Sequence, residues 1–311
     1  MGKKLSDIDR VPKYWPDNEV IRNDRLYYSS EVEHYYNHLG KIFATLEAAG
    51  QLDNTLIVAT SDHGMPFPRV KGQAYESSNH IPLAIRWPKG INGRGRVVTD
   101  FVSFADLAPT FIEAAGVTQI APIMQPMSGR SLFDIFTSPK SGQVIATRDH
   151  VLLGKERHDV GRPNNQGYPI RGIRKGDHLY LHNFEPNRWP AGNPDREFCA
   201  RYIPFGEVDS SPTKSLLMDN KDKPGFMRFY DLAFAKRPAE ELYDVRKDPG
   251  QVVNLAGKPE YAETQKKLAA QLQKHLVRTK DPRALGLDAP WDYYPYYGLR
   301  RNKKWQVDPR P

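Results

Sequence analysis

The stretch Leu56-Ile57-Val58-Ala59-Thr60-Ser61-Asp62-His63-Gly64 decides the fold of this chain. A short apolar, β-branched run bounded by turn-forming residues predicts a buried strand that is parallel to its neighbours. Asp62 and His63 follow its carboxyl end, where open α/β sheets hold ligands and metals. A carboxylate beside an imidazole suits a metal-assisted site for an anionic substrate. The spacing also leaves open a plain surface turn with a helix-capping aspartate.

Composition narrows the class of protein. Hydrophobic residues make up 39% and charged residues 26% of the 311 positions, which favours a folded soluble protein. No apolar run approaches the roughly 18 residues of a membrane span, and the N-terminus lacks the apolar region of a secretory signal. A single cysteine, Cys199, excludes an intrachain disulfide. The net charge of +8 favours a polyanionic partner, with nucleic acid and sulfated glycans as the two candidates. The basic residues are spread out and no nucleic-acid-binding motif is present, which makes nucleic acid the weaker candidate.

Periodicity predicts an α/β rhythm that changes after residue 143. The predicted helices cover 24–49 (capped by Asn23 or Asp24), 106–115, a short segment before 138, and 259–277. The predicted strands cover 55–60, 81–87, 97–102, 144–147, 170–174, 178–182 and 241–245. The apolar face of the first helix, which includes Tyr35 and Ile42, is expected to lie in the core. Residues 186–230 are predicted to be loop-rich.

Two segments resemble a known family. Residues 53–68 resemble the second metal-binding segment of the type I sulfatases, and Pro66-Phe67-Pro68 is typical of the heparan N-sulfatase (sulfamidase) branch. Far downstream, Glu241-Leu242-Tyr243-Asp244-Val245-Arg246-Lys247-Asp248-Pro249 is similar to the C-terminal signature of that family. The resemblance extends from about Val11 to about Arg283.

The family's nucleophile motif has no counterpart in the sequence. Sulfatases convert the Cys or Ser of Cys/Ser-x-Pro-x-Arg to formylglycine, whereas Cys199 lies in Phe198-Cys199-Ala200-Arg201-Tyr202. The paired aspartates that supply the first metal ligands are also missing. The resemblance therefore covers the C-terminal part only, and we expect the chain alone to be inactive. An N-terminal sulfatase portion encoded upstream is the partner that this gap implies.

The resemblance implies an alkaline-phosphatase-like fold. We expect a mixed α/β sheet flanked by helices, incomplete at its N-terminal side, over residues 1–143. A small antiparallel sheet with a terminal helix and tail is expected over 144–311. Family members are periplasmic, extracellular or lysosomal.

The resemblance also implies roles for six residues. Asp62 and His63 match metal-ligand positions, with calcium as the usual ion, and Lys71 matches the catalytic cation that contacts the sulfate. Near Gly154 and Gly167, a loop and strand similar to the sulfamidase branch place His158, Glu156 and Arg171 as substrate-binding residues. The substrate implied is sulfated glucosamine of a heparan-type glycosaminoglycan.

Two other functions stay open on the sequence alone. Asp-His-Gly also occurs in related metal-dependent phosphatases and phosphodiesterases, although Pro66-Phe67-Pro68 argues against them. The missing nucleophile is equally compatible with a non-catalytic glycan-binding module or fragment.

Overall fold

The structure is a computed structural model that describes residues 3–118, 124–159, 161–163, 166–199 and 203–292. The aromatic tail beyond 292 lies outside the described residues. The chain forms two compact units: residues 1–32, 62–81 and 153–311 make the first, and residues 33–61 and 82–152 the second. The domain boundary between 143 and 144 stays a prediction.

Seven α-helices are found in the described ranges. They are α1 (Glu19–Ala48), α2 (Glu76–Asn79), α3 (Leu107–Ala114), α4 (Phe133–Phe136), α5 (Pro212–Asp219), α6 (Met227–Phe234) and α7 (Ala262–Arg278). None of the described helices is long and apolar enough to cross a membrane.

Six strands within the same described ranges form two sheets. They are β1 (Ile57–Thr60), β2 (Leu83–Arg86), β3 (His150–Lys155), β4 (Ile170–Lys175), β5 (His178–Asn183) and β6 (Glu240–Asp244). β1 and β2 form a two-stranded sheet, and the other four form a sheet in the order β3-β4-β5-β6. The β4–β5 and β5–β6 pairs are antiparallel, which confirms the predicted C-terminal antiparallel sheet.

The prediction of a buried parallel strand before Asp62 is wrong. β1 pairs antiparallel with β2, with Thr60 opposite Leu83, and its four residues are only half-buried. A parallel pair needs a crossover of a dozen or more residues, usually a long helix. The 22 residues between β1 and β2 would be enough for a crossover, but they contain only the four-residue α2, and the two strands run in opposite directions.

Helix α1 begins five residues before the predicted start. The Asn18 side chain accepts a hydrogen bond from Ile21 N–H at 3.1 Å, as a capping residue does. Asp24 is instead buried and accepts hydrogen bonds from the backbone and hydroxyl of Thr213. The C-terminal end at Gly50, with φ of 65°, follows the prediction.

Only part of the apolar face of α1 lies in the core: Tyr28 packs against Phe67, but the face further along the helix is partly exposed. Tyr35 is 46% exposed and Ile42 is 53% exposed. Helical spacing shows which side chains share a face but not whether another element covers that face, so the pattern alone could not decide burial.

Other boundaries also differ from the predictions. Residues 97–102 contribute only an isolated bridge from Val98 to Gly142, and the strand predicted at 144–147 lies at His150–Lys155 instead. Two helices, α5 and α6, occupy the region predicted to be loop-rich. Ser211 caps α5, since its side chain accepts from Lys214 N–H, and Pro212 fills the first turn.

Each unit has its own core. In the first unit, one cluster centres on Trp15, Phe67, Val70, Phe205 and Phe234. A second cluster joins the face of the four-stranded sheet to the chain after Gln73; it comprises Ala74, Tyr75, Tyr168, Ile170, Leu179, Leu181 and Tyr243. The core of the second unit consists of Leu132, Ile135 and Phe136 with their partly buried neighbours.

Candidate active site

The segment from Asp62 to Ser78 is the frame of the candidate site, and it lies wholly in the first unit. Phe67 is buried and packs edge-on against Trp15, with ring centroids 5.5 Å apart. Gly64 N–H donates to Ser78 O at 3.1 Å, which folds the segment back on itself. A rigid, anchored loop is what a preorganised site needs.

Arg69 holds this loop from within. It is 1% exposed and adopts a left-handed backbone conformation, with φ of 66°. Its guanidinium donates to the carbonyl groups of Leu232 and Gln251 and lies 4.0 Å from the ring centre of Tyr75. The Arg69 side chain is thus engaged in contacts inside the protein, whereas the side chain of the neighbouring Lys71 is 19% exposed.

Asp62 and His63 follow β1 closely. The Asp62 side chain is 84% exposed, and one of its oxygens lies 3.4 Å from His63 Nε2. The other ring nitrogen of His63, Nδ1, is 2.6 Å from Gly64 O, so a proton on Nδ1 is donated to that carbonyl. The predicted metal-ligand pair is therefore adjacent and oriented by its own backbone.

Lys71 and His158 are brought together around Gly72. A Cβ atom at Gly72 would lie 3.1 Å from Cδ2 of His158, so the imidazole ring packs directly on this glycine. Gly72 also has φ of 66°, a conformation that glycine adopts without strain. Both the loop conformation and the close ring contact depend on the absence of a side chain here.

Electrostatics favours a neutral His158. Desolvation of the packed part of the ring lowers the pKa of His158; nearby Glu207 opposes this, and the positive charges of Lys155 and Lys71 lower it further. A neutral imidazole can donate through one nitrogen and accept through the other. His158 keeps an exposed face through which it could contact a ligand.

A buried ion cluster lies beneath this pair. Glu207, whose side chain is fully buried, pairs with Arg162 at 2.6 Å and with Lys155 at 3.1 Å. Burial alone would raise the pKa of Glu207, but the two cations outweigh it and lower the pKa to about 2. Lys155 Nζ also donates to Gly72 O, which ties the cluster to the loop.

Asp209 is a site residue that the sequence analysis missed. Its Oδ2 lies 2.5 Å from Lys71 Nζ, and its side chain is 53% exposed. The one available signal was its position before the Ser211–Pro212 helix start, within the region noted as loop-rich. Nothing in the sequence pairs it with a lysine 138 residues away.

Glu156 and Arg171 are near His158 in the chain but are committed to another network. Arg171 pairs with Glu156 at 2.5 Å and with Asp281 at 2.7 Å. Glu156 also pairs with Arg283 at 3.0 Å. Since these charges are already balanced, the two residues brace the loop before His158, and their substrate contacts remain a prediction.

Cys199 has no features of a nucleophile. It is buried, its Sγ donates to Asn193 O at 3.0 Å, and burial raises the pKa of its thiol to about 11. A thiol attacks as the thiolate, which is scarce at neutral pH with such a pKa.

Comparisons with known proteins agree with this fold. The family model described as Sulfatase matches residues 10–117. The described fold is that of the alkaline-phosphatase-like sulfatases, and the resemblance to the sulfatase family is confirmed.

Particular relatives can be named. The chain is 25% identical to an ulvan-active sulfatase of Formosa agariphila, over 87% of this chain and 41% of the relative. It is 27% identical to the human N-sulphoglucosamine sulphohydrolase, over 88% of this chain and 51% of the relative. A protein solved in complex with its substrate D-glucosamine-2-N,6-O-disulfate matches with a TM-score of 0.53 and 23% identity, over 79% of this chain and 39% of that one. The chain thus spans about half the length of the curated relatives.

Proposed function

We propose that this chain forms the sulfate-recognition part of a sulfatase that acts on N- or O-sulfated glucosamine of a heparan-type glycosaminoglycan. The observation that carries the proposal is the packing of His158 on Gly72 beside Lys71. The ammonium group of Lys71 and the neutral imidazole of His158 thus belong to two segments that contact each other at Gly72. The relative named N-sulphoglucosamine sulphohydrolase supports the choice of substrate class.

Lys71 supplies the cation in this proposal. An ammonium group stabilises negative charge on sulfate oxygens, and more so where part of the solvent is excluded. The Lys71 side chain is 19% exposed, so it is partly shielded but still reachable. Its contact with Asp209 balances the charge of the free protein, and a sulfate group would compete with that carboxylate.

His158 supplies hydrogen bonds rather than charge. Because its pKa is lowered, the ring is neutral at pH 7 and can donate to a sugar hydroxyl or a sulfate oxygen. Lys155 and Glu207 hold the loop beneath it through Gly72 and provide no free charge to the ligand.

The described residues do not complete a calcium site. Calcium takes about six to eight oxygen ligands, whereas Asp62 offers one carboxylate and His63 offers a nitrogen that suits softer metals. No group of three possible His, Cys, Asp or Glu ligands occurs in the part of the chain that the structure describes. Asp62 and His63 therefore supply only part of a metal site.

The proposal predicts binding without turnover for the chain by itself. Covalent attack on sulfur needs a positioned nucleophile, and the sequence contains no Cys/Ser-x-Pro-x-Arg motif. Without that group, the chain would bind a sulfated sugar through Lys71 and His158 and release it unchanged.

Calorimetry with a heparan-type oligosaccharide and its fully desulfated form tests the proposal. We expect the sulfated form to bind more tightly, and Lys71→Ala to weaken binding about tenfold to a hundredfold, since a charge-assisted hydrogen bond contributes about 1.5–3 kcal/mol. Lys267→Ala, at a 73% exposed lysine of α7, is the matched control for lost charge. Equal affinity for both oligosaccharides, or equal effects of the two lysine variants, would reject the sulfate-recognition role.

A further inference from the structure

Two imidazoles lie side by side on α1. His34 and His38 are both exposed, and their Nε2 atoms are 3.0 Å apart. Their ring centres are 4.5 Å apart. The two Nε2 atoms lie within hydrogen-bonding distance of each other, so they are close enough to share one ligand.

The helix itself fixes this approach. Residues four apart on an α-helix lie one above the other on the same face. The buried residues of α1, Ile21 and Asp24, lie in its first two turns, well before His34. The two rings are therefore open to solvent on a regular helical backbone.

The separation matches the bite of a metal chelate. With metal–nitrogen bonds of about 2.0–2.1 Å, two nitrogens 3.0 Å apart subtend about 94° at the ion. That angle suits the square-planar or octahedral geometry of Cu²⁺ and Ni²⁺. A tetrahedral Zn²⁺ site needs about 3.3 Å between nitrogens, which a small side-chain rotation would give.

We propose that His34 and His38 form a two-coordinate chelate for a late first-row divalent metal ion, bound through both Nε2 atoms. Copper is expected to bind most tightly because it stands highest in the stability order for nitrogen ligands. Calcium is not a candidate, since it requires oxygen ligands. Water completes the coordination, because no third His, Cys, Asp or Glu joins the pair among the described residues.

The sequence between the two histidines limits what the site does. His34-Tyr35-Tyr36-Asn37-His38 has the histidine spacing of a helical zinc-protease motif but lacks its glutamate, which acts as the general base. The ion would therefore be bound without activating water for hydrolysis. Its effect is to link two successive turns of α1, which stabilises the helix in proportion to metal occupancy.

Nickel titration of the full chain by calorimetry at about pH 7.5 tests the proposal. We expect one nickel site whose affinity falls at least about tenfold in His34→Ala and in His38→Ala. The reason is that the second histidine, once the first has bound the ion, is present at high effective concentration. Thermal unfolding should shift upward with nickel for the parent chain and not for either variant.

A rearranged variant separates geometry from histidine content. Tyr36→His combined with His38→Ala keeps nine histidines but places the second imidazole two residues from the first, on a different helix face. We expect it to bind nickel as weakly as His38→Ala, with unchanged helical circular dichroism. Parent-like affinity in this variant, or in His38→Ala, would overturn the chelate, and His38→Gln serves if the alanine variant loses helicity.

Discussion

Replacing Gly72 by alanine tests the central feature of the candidate site. The backbone there has φ of 66°, a conformation that costs an L-residue roughly 1–2 kcal/mol. The new Cβ would also lie 3.1–3.4 Å from three atoms of His158, tighter than ordinary contact, so the ring must move. We expect a loss of about 2–3 kcal/mol in the free energy of unfolding, combining backbone strain with overpacking.

A matched glycine separates the two contributions. Gly176, in the turn between β4 and β5, has φ of 53°, but a Cβ atom added there would meet no other atom within 4 Å. Gly176→Ala should therefore show the backbone cost alone. Urea denaturation gives the free energy of unfolding of both variants, and the difference between their losses measures the cost of the contact with His158.

The contact can be isolated further with a double-mutant cycle. If the His158 ring is the obstacle, His158→Ala should recover about 1 kcal/mol in the Gly72→Ala background, relative to its effect in the parent chain. Gly72→Ala should also weaken binding of the sulfated oligosaccharide, whereas Gly176→Ala should not. Additive effects of Gly72→Ala and His158→Ala would refute the packing of His158 on Gly72.

Four further outcomes are expected. The folded-state pKa of Glu207 is lowered to about 2. Its contribution to stability is therefore complete above its ordinary pKa of 4.5 and is lost as the pH falls toward 2. The free energy of unfolding, measured as a function of acid pH, should show this loss, and the pH dependence should be flatter in Glu207→Gln. Arg171→Ala should cost about 3 kcal/mol in urea denaturation, because it removes the cation paired with the partly buried Asp281 carboxylate and one of the two cations paired with Glu156. A loss below about 0.5 kcal/mol, as expected for Lys267→Ala, would show that the network is not stabilising. Calcium should bind no tighter than about 0.1 mM by calorimetry, and a micromolar site abolished by Asp62→Ala would show that further ligands exist. Sulfamidase and arylsulfatase assays should detect no turnover, and activity that survives Cys199→Ala would contradict the missing nucleophile.

Local sequence determined the features that depend on near neighbours. The presence of a strand before Asp62, the turn between β4 and β5, and the glycine stop after α1 were predicted correctly because strand propensity, turn chemistry and positive φ are short-range effects. The same holds for α7, while the metal-ligand role of Asp62 and His63 stays a prediction. The sulfatase resemblance also comes from contiguous motifs, which is why the sequence alone could reveal it.

Tertiary structure decided the features that join distant segments. The antiparallel direction of β1, the exposure of Tyr35, and the pairing of Lys71 with Asp209 each depend on which segment lies opposite, and no periodic pattern encodes that. The commitment of Arg171 to Asp281 is of the same kind, because a charged residue in a sequence gives no sign of whether its partner is a ligand or another side chain. Burial and charge pairing are properties of the whole packed chain, and they became visible only when its segments were brought together.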